Sequence, residues 1–516
     1  MHWADVIANN LIKKGNKHVL ATGITPSGPI HVGNMREVIT TDAIYKALIE
    51  KGAEPEFIYI ADDYDHLRKL YPFLPDFFKK YIGIPICEIP CICGKHESYA
   101  DHYLISFLDS LKKLGITPKV IRASEIYKNG NYNHSIQIAL ENVEKIKDII
   151  ENISKRKLPK NWIPFNVKCI NCGKITETKP ILYEFPNIEY KCNCGYEGSA
   201  DIREGGSGKL PWRIDWPARW KMLGVTFEPF GKDLGTVGGA RQTGEKIVKE
   251  IFNYSPPDYT VYEFILLKGK GAMHSSKGTA LSSEEMLAMT PPEVLRFLIV
   301  KNQPNKHIVF DPGFGLLNLV DEYDQFERIF FGKEDIIKGM KDIEKIYELS
   351  QPYKIPNKIP FQIPYRHLVT IVQISKEWKD IKKILLRTKQ IPENIGKFEE
   401  KNIKQRTKHV EYWLKFFAPN KLKFEIKNKL PNLKLLEKQK KIINALIDKL
   451  NSIEWDPNAI HKEIYAISEI ENVSIKTTFT TLYQILLGQN EGPRAGYFIS
   501  NLDRDFVMNR LKEAVK

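Results

Sequence analysis

The sequence predicts an α/β domain built on a parallel sheet, interrupted by a cysteine-rich insertion and followed by an all-α domain. Short apolar runs typical of strands alternate with helical patterns through the first half of the 516 residues. This alternation is typical of parallel sheets with right-handed crossovers. Cysteines concentrate in two tight groups, and strand-like runs almost vanish after about residue 320. A chain of this length divides into about two to four domains.

The opening unit reads as strand, loop, helix and strand. Residues 18–24 (HVLATGI) form a strand-like run, a Pro/Gly-rich loop follows, and a helical pattern extends to about residue 51. The next apolar run, at 55–62, reads as the second strand. The α/β pattern continues with helices near 99–114, 133–154 and 239–254 and with strands near 119–122 and 259–266.

The last third of the chain reads as successive amphipathic helices. Prolines divide this part into segments, at Pro360, Pro392, Pro419, Pro431 and Pro457. No internal repeat or low-complexity tail is visible. The pattern therefore predicts a separate helical domain.

Charge and hydropathy restrict the partners. The formal net charge is +14 and the pI is near 9.1. This excess is typical of a protein that binds nucleic acid, and lysine-rich solvated helix faces are the alternative. No apolar run approaches the roughly 20 residues of a membrane span. The first 20 residues lack the apolar core of a signal peptide. We therefore expect a cytoplasmic protein with no membrane partner.

Four cysteines in the insertion predict a structural zinc site. Cys169 and Cys172 form a CxxC turn, and Cys192 and Cys194 form a CxC turn after a short β-like stretch. Two such turns can place four thiolates tetrahedrally around zinc. Free thiols or redox chemistry are the alternatives. In a reducing compartment, metal binding is favoured over disulfides.

A second group of zinc-ligand types lies upstream, in PCICGKHESYADHY. Its members are Cys91, Cys93, His96 and His102. His102 can return toward the group from the start of the following helix. The alternative is a helix N-terminus with incidental polar residues. The remaining cysteine, Cys87, has no evident partner.

The first candidate catalytic loop joins the first strand to the first long helix. It contains Pro26, Gly28, His31, Gly33 and Asn34. Ligands of parallel sheets bind at the carboxyl ends of the strands, and a helix N-terminus there attracts phosphate. Gly33 allows close approach of a nucleotide, while His31 and Asn34 supply hydrogen bonds to ATP. Taken alone, a histidine in such a loop is more often structural.

The second candidate loop runs from Gly269 to Gly278. It contains Ser275, Ser276 and Lys277 between flanking glycines. Such a loop can bring an ammonium to the pyrophosphate leaving group. A flexible basic surface loop is the alternative. Together, and in this order on an α/β core, the two loops are much more specific than either alone.

The two loops resemble the HIGH and KMSKS motifs of class I aminoacyl-tRNA synthetases, as His31-Val32-Gly33-Asn34 and Met273-His274-Ser275-Ser276-Lys277. The whole chain resembles the class I lysyl-tRNA synthetases of archaea and some bacteria. The matching stretches are TGITPSGPIHVGNMREV, ADDYDHLRK, HESYADH, KLPWRIDWPARW, FEPFGKDLGTVGG, TGEKI, YEFI, MHSSKG and LLGQNEGPRAG.

The resemblance implies a Rossmann-type catalytic domain at 1–265, with zinc-bearing insertions at about 87–105 and 165–205. It implies the KMSKS loop and a stem-contact region at 266–330, and an α-helical anticodon-binding domain at 331–516. The implied reaction converts L-lysine and ATP, with Mg²⁺, into lysyl-adenylate. Lysine is then transferred to the terminal ribose 2′-hydroxyl of tRNA(Lys). One or two Zn²⁺ ions would be structural.

The resemblance also implies site residues. His31, Asn34 and Lys277 would be catalytic, and ATP would contact these three with Pro26, Gly28, Gly33, Ser275 and Ser276. The implied lysine site comprises Gly23, Thr25, Trp216 and Tyr262, with Asp215 and Asp233 as nearby carboxylates. Glu263 is a further candidate. Structural pairing is the alternative for these acids, for instance Asp215 with Arg219. Asp62, Asp63 and Asp65 follow a strand end and read equally as ligand contacts or helix caps. In the helical domain, Tyr412, Trp413 and Arg494 could contact anticodon bases or belong to the core or surface.

Departures from the family pattern are few. Leu234 replaces a histidine that the family usually has after Lys-Asp, which removes one expected polar contact to the substrate. The family has aspartate at Cys91 and cysteine at Lys95, so the ligand set of the upstream group is open.

Two alternatives to a lysyl-tRNA synthetase are a class I synthetase for another amino acid and a non-catalytic tRNA-binding paralogue. A small-molecule nucleotidyltransferase would leave the basic helical C-terminus unexplained.

Overall fold

The computed structural model describes residues 1–269, 271–272, 281–336 and 338–516, which form two compact units. The first unit comprises 1–287, 292–310 and 336–355, and the second comprises 288–291, 311–335 and 356–516.

Strands occur only in the first unit among the described residues. In chain order they are β1 (Lys17–Ile24), β2 (Glu54–Ala61), β3 (Lys119–Arg122), β4 (Asn166–Val167), β5 (Thr178–Glu184), β6 (Asn187–Cys192), β7 (Glu197–Asp201), β8 (Gly208–Lys209), β9 (Phe230–Gly231), β10 (Val261–Tyr262), β11 (Ile265–Leu267), β12 (Gly271–Ala272) and β13 (Ile308–Phe310).

Helices occur in both units. Up to residue 300 they are α1 (Trp3–Ile12), α2 (Val32–Glu50), α3 (Tyr99–Lys113), α4 (Ala123–Lys128), α5 (Asn133–Glu141), α6 (Val143–Ser154), α7 (Trp212–Leu223), α8 (Ala240–Glu250), α9 (Ser283–Met289) and α10 (Pro292–Val300). Then follow α11 (Phe314–Phe330), α12 (Ile343–Ser350), α13 (Tyr365–Ile374), α14 (Trp378–Arg387), α15 (Lys397–Phe416), α16 (Glu437–Leu450), α17 (Pro457–Ile470), α18 (Ile475–Leu487), α19 (Ala495–Asn501) and α20 (Arg504–Val515). Short 3₁₀ helices are Asp76–Tyr81, Ile86–Glu88 and Asn420–Leu422.

A parallel sheet forms the centre of the first unit. β2 lies between β1 and β3, and all three strands are parallel. On the other side of β1, the Ala21 amide donates to the Phe227 carbonyl, and Glu228 N donates to the Asp258 carbonyl. These bonds continue the sheet toward the parallel pair β9 and β10. In the strand order β3-β2-β1-β9-β10, the chain adds successive strands first on one side of β1 and then on the other. Doubly wound sheets bind ligands at the position where the strand order switches in this way, which here lies beside β1.

The predicted insertion is a three-stranded antiparallel ribbon of β5, β6 and β7. The helix predicted at 133–154 is two helices, α5 and α6, because Asn142 between them has a non-helical backbone (φ −120°, ψ 32°). The predicted strand at 259–266 is likewise divided into β10 and β11. The predicted α/β fold with a cysteine-rich insertion and a helical C-terminal part is confirmed.

The regular secondary structure described in the second unit consists of helices alone. An apolar core is formed by α16 to α20, with residues such as Leu446, Ile464 and Leu486 fully buried. On α15, Trp413 is also fully buried, and its Nε1 donates to the Pro312 carbonyl at 2.6 Å. Trp413 is therefore a core residue. None of the helices described is both long and apolar enough to span a membrane.

Candidate active site

The first loop leaves β1 at the sheet's carboxyl edge and ends in the cap of α2. His31 is the N-cap residue: its Nδ1 accepts a hydrogen bond from the Gly33 amide at 3.0 Å. Asn34 Oδ1 accepts from the His31 amide at 3.4 Å. Because Nδ1 accepts, the neutral imidazole carries its proton on Nε2. Local capping thus fixes the orientation of both side chains.

A cavity of about 170 Å³ lies beside this loop. Its lining includes the predicted residues Thr25, Gly28, His31 and Asn34. Pro26 and Gly33 belong to the same loop without lining the cavity. A Cβ on Gly28 would lie only 2.8 Å from Cζ of Phe73, so a side chain at this position would collide with the aromatic ring.

Two aromatic residues in the cavity wall were missed by the sequence analysis. Tyr71 and Phe73 also line the cavity, and their rings stack with centroids 5.4 Å apart and planes 4° apart. Such a pair offers a flat apolar surface for a heterocyclic base. The sequence signal was the aromatic, proline-rich run YPFLP, which has no regular period.

The second loop falls largely outside the described residues. Met273, His274, Ser275, Ser276 and Lys277 are all among the residues not described. The chain that follows is described and meets the first loop. The Val32 amide donates to the Leu281 carbonyl at 3.2 Å, and the Ser283 amide donates to the Ile30 carbonyl at 2.9 Å. The chain leaving the second loop is thus hydrogen-bonded to the first.

A half-buried carboxylate, Glu37, joins two residues of the implied lysine site. Tyr262 donates its hydroxyl to Glu37 Oε2 at 2.5 Å, and the Gly23 amide donates to Oε1 at 3.2 Å. Burial raises the pKa of Glu37 to about 8, despite these two hydrogen bonds. Asp233 lies nearby, since a Cβ on Gly231 would be 2.6 Å from Asp233 Oδ1 and 3.6 Å from the Tyr262 ring.

Glu37 was missed because nothing local distinguishes it. It follows Asn34 by three positions on α2, which places both residues on one helix face. Its partner Tyr262 lies 225 positions away. The pattern MREV contains an acid in an ordinary helical setting, and only the fold shows that this acid is half-buried beside Tyr262.

Trp216 is held by a second buried acid. Its Nε1 donates to Glu228 Oε2 at 2.9 Å, and Trp220 Nε1 donates to the same oxygen at 2.5 Å. Trp212 stacks on Trp216 at 5.0 Å. The indole of Trp216 is therefore held in one orientation. Because its N–H already donates to Glu228, the ring offers only an apolar surface to a ligand.

Asp215 lies in a buried ion network. Its Oδ2 is 2.9 Å from Arg219 and 3.3 Å from Lys209, and its Oδ1 accepts from the Tyr127 hydroxyl at 2.9 Å. The pairing of Asp215 with Arg219, one of the two interpretations left open, is present. Both carboxylate oxygens are engaged by the protein itself.

The three aspartates after β2 are also engaged. Asp62 pairs with Arg219 at 2.6 Å. Asp63 accepts from the backbone amide of Ser124 in the first turn of α4, so it caps that helix. Asp65 accepts from Lys209 at 2.5 Å and from the predicted ligand Thr25 at 2.6 Å. Burial opposes ionisation of Asp65, yet these contacts hold its pKa at about 2.

Glu263 and Leu234 lie at the edge of this region. Glu263 pairs with Lys232 at 2.8 Å, so it has a cationic partner from the protein. Leu234 lines a cavity of about 610 Å³ together with Asp233 and Trp212. An apolar side chain therefore stands where the family pattern implied a polar contact.

The four cysteines of the insertion converge as predicted. The sulfur atoms of Cys169, Cys172, Cys192 and Cys194 all lie within 4.8 Å of one another. Sγ of Cys169 is 3.7 Å from that of Cys194, and Sγ of Cys172 is 3.6 Å from that of Cys192. Zn–S bonds of about 2.3 Å in a tetrahedron place sulfurs about 3.8 Å apart. The group is compatible with zinc.

The upstream group converges as well. One ligand atom from each of Cys91, Cys93, His96 and His102 lies within 4.8 Å of the others. Cys93 Sγ is 3.3 Å from Nδ1 of both histidines, and Cys91 Sγ is 3.7 Å from Nδ1 of His102. Tetrahedral zinc bound by sulfur and nitrogen requires about 3.6 Å between such atoms. His102 does return from the first turn of α3.

Two families of known proteins match the chain. The family described as tRNA synthetases class I (K) matches residues 1–353, and the family described as anticodon binding domain matches residues 405–515.

Relatives match over the full length. The lysine–tRNA ligase of Picrophilus torridus is 42% identical over 99% of this chain and 98% of its own length. That of Methanosarcina barkeri is 44% identical over 100% of this chain and 98% of its own. A solved glutamate tRNA ligase from Elizabethkingia meningosepticum aligns over 96% of this chain and 99% of its own. Its identity is 14% and its TM-score 0.45, which is too distant to bear on function.

Proposed function

The chain belongs to the class I lysyl-tRNA synthetases, and on this premise we propose that it activates L-lysine with ATP and transfers it to tRNA(Lys), using the site around His31 and Glu37. The enzyme is a lysine–tRNA ligase. Lysyl-adenylate forms when a lysine carboxylate oxygen attacks the α-phosphorus of ATP and pyrophosphate leaves. The terminal ribose 2′-hydroxyl of tRNA then attacks the lysyl carbonyl, and AMP leaves.

The observation that supports lysine as the substrate is the half-buried carboxylate of Glu37, whose pKa is raised. Loss of hydration disfavours the charged form of this carboxyl, so it is largely protonated near neutral pH. A substrate ammonium would supply the missing opposite charge. Glu37 lies one helical turn beyond Asn34 on α2, so it would receive the side-chain ammonium while the lysine carboxylate faces the His31 loop. Trp216 would form an apolar wall for the methylene chain, beside Gly23, Thr25, Asp233 and Tyr262.

The roles proposed for the first loop follow from its hydrogen bonds. His31, with its proton on Nε2, would donate to the α-phosphate, where negative charge develops. The Asn34 side chain would act beside it. Tyr71 and Phe73 would stack against adenine, next to Gly28. Lys277, with Ser275 and Ser276, would hold the pyrophosphate, and bound Mg²⁺ would neutralise phosphate charge.

The two cysteine-containing groups are proposed as structural zinc sites. Both have four ligand atoms at distances that suit tetrahedral zinc, and no member of either group is among the residues that line the cavity at His31. Zinc would stabilise the ribbon around Cys169 and the turn before α3 by joining residues of each segment at one ion.

To the three regions of the chain we assign the roles that the family resemblance implies: catalysis at 1–265, stem contact at 266–330 and anticodon binding at 331–516. The match of an anticodon-binding family to residues 405–515 supports the last of these. The formal net charge of +14 suits a polyanionic partner.

Pyrophosphate exchange with each amino acid in turn, with and without total tRNA, tests the proposal, with Lys277→Ala as the inactive variant. We expect exchange with lysine alone, lost in Lys277→Ala. Exchange with a different amino acid would keep the mechanism and refute lysine as the substrate. Absence of exchange under every condition, with tRNA still bound, would favour the non-catalytic paralogue.

A further inference from the structure

Arg36, a fully buried arginine on α2, bonds only to backbone carbonyls in the part of the chain that the structure describes. Its side chain directly precedes Glu37 in the sequence, and the residue is 1% exposed. Burial lowers its pKa to about 10, so the guanidinium is still charged at neutral pH. A buried charge without a carboxylate partner is costly. The bonds that retain Arg36 in this place therefore deserve a functional reading.

The guanidinium joins two segments that are far from α2 in the sequence. Nη1 donates to residues 263–264 and Nη2 donates to the loop 303–306. The five accepting carbonyls are those of Glu263 (2.5 Å), Phe264 (3.4 Å), Gln303 (3.3 Å), Pro304 (3.0 Å) and Lys306 (2.7 Å). The planar guanidinium has donors on separate nitrogens and can serve both segments at once, whereas a lysine ammonium has its donors on a single nitrogen.

Residues 263–264 lie where one pair of strands ends and another begins. β10 ends at Tyr262 and pairs with β9, whereas β11 begins at Ile265 and pairs with β13. The Glu263 carbonyl in this break has no backbone donor among the described residues. Arg36 supplies the donor that a strand neighbour would otherwise provide.

This contact bears directly on the hydrogen bond between Tyr262 and Glu37. Tyr262 belongs to a strand of only two residues, and its hydroxyl reaches Glu37 Oε2 at 2.5 Å. Arg36 holds the carbonyl of the residue after Tyr262 and stands on α2 immediately before Glu37. One guanidinium thus ties the backbone beside the tyrosine to the helix that carries its acceptor.

We propose that Arg36 is a positioning residue for lysine activation: it holds Tyr262 against Glu37 and so shapes the lysine site without touching lysine or ATP. The inference rests on the proposed function, since it takes lysine as the ligand of that site. β11, which leads toward the second loop, has its own pairing with β13. The effect of Arg36 is therefore on lysine binding and not on ATP binding.

Pyrophosphate exchange with lysine by the full-length wild-type enzyme is measured first. Absence of exchange with lysine would refute the proposed function itself, before any variant is compared. With exchange established, kcat and the KM values for lysine and ATP are measured for Arg36→Lys and Arg36→Gln. The first variant keeps the charge with its donors on one nitrogen, and the second keeps a planar N–H₂ donor without the charge.

Arg296→Lys is the matched control. Arg296 on α10 is also fully buried and donates to two backbone carbonyls, those of Leu114 and Leu349. It pairs with Asp42 at 2.6 Å. None of these residues belongs to the proposed lysine site, so this variant disturbs a buried arginine of the same kind elsewhere in the first unit.

We expect both Arg36 variants to raise the KM for lysine roughly 10-fold or more, because a hydrogen bond to a carboxylate is misplaced. The values of kcat and of the KM for ATP should change little, as they do when ground-state binding alone is lost. Arg296→Lys should lower the melting temperature and leave the KM for lysine near the wild-type value. The same result for folded Arg36 variants would make Arg36 merely structural and overturn the proposal.

A double-mutant cycle with Tyr262→Phe provides the decisive measurement. This variant lacks the hydroxyl through which Arg36 is proposed to act, so adding Arg36→Lys to it should raise the KM for lysine little further. Independent effects would instead multiply, and multiplied effects in a folded double variant would overturn the proposal. Failure of both Arg36 variants to fold, with Arg296→Lys folded, would also overturn it, because Arg36 would then be required for folding itself.

Discussion

At the scale of single residues, the proposed role of Glu37 as the partner of the lysine ammonium is the most direct to test. Two neighbouring acids, Glu228 and Asp233, raise the pKa of Glu37 further. We expect Glu37→Gln to raise the KM for lysine roughly 30-fold or more, because an interaction with a buried charge is worth about 2–5 kcal/mol. The KM for ATP should change little. Exchange kinetics measure both constants, with the exposed Glu125→Gln as the control. A lysine KM within error of wild type would remove Glu37 from the site.

The same carboxyl predicts how lysine binding depends on pH. With a pKa of about 8, Glu37 is protonated at pH 7 in the free enzyme, and an arriving ammonium favours its ionised form. Binding should therefore release a proton, and the KM for lysine should fall as pH rises from 6 toward 8. The dependence should be absent in Glu37→Gln. A flat profile for the wild-type enzyme contradicts this linkage.

The stability of the lysine-free enzyme should change with pH in the opposite direction: the free energy of unfolding should fall as pH rises. The folded-state pKa of Glu37, about 8, lies above the ordinary glutamate pKa of 4.5, so the folded enzyme binds more protons than the unfolded chain between these two pH values. Protonated Glu37 therefore contributes to the free energy of unfolding at low pH, and this contribution is lost as pH rises through about 8.

Substitution of Asp215 distinguishes its two interpretations, structural ion pairing and lysine binding. Its partners Lys209 and Arg219 are fully buried, so Asp215→Asn leaves buried cations less compensated. Breaking such a pair costs about 3–5 kcal/mol. We expect a large fall in the free energy of unfolding, measured by denaturant titration, with the lysine KM of the folded fraction nearly unchanged. A stable variant with a much higher lysine KM would instead make Asp215 a substrate ligand.

At the scale of elements, the sequence predicts features whose residues are close along the chain. The strand, loop and helix around His31 and the cysteine turns of the ribbon were visible as local patterns. The pairing of Tyr262 with Glu37 was not visible, because it depends on how distant strands and helices meet. The division of the helix at Asn142 was also missed, since its apolar periodicity continues on both sides.

The cysteine-containing elements predict two zinc ions per chain. We expect Cys169→Ser to lose the zinc of the ribbon and Cys93→Ser to lose the zinc before α3, each leaving one ion. Cys87→Ser should retain both, because its thiol belongs to neither group. Metal analysis of the purified proteins measures the content. A wild-type enzyme with one zinc that Cys93→Ser keeps would restrict metal binding to the ribbon.

At the scale of the whole molecule, the surplus of 77 basic over 63 acidic residues predicts a salt-dependent partner. Each phosphate contact releases counterions, so the logarithm of tRNA affinity should fall linearly with the logarithm of salt concentration. The KM for lysine should depend much less on salt, because the proposed contact of its ammonium with Glu37 lies in a half-buried site where screening is weaker than at the surface. Filter binding across a salt series measures the slope. A tRNA affinity that stays constant across the series would contradict a partner bound through its phosphates.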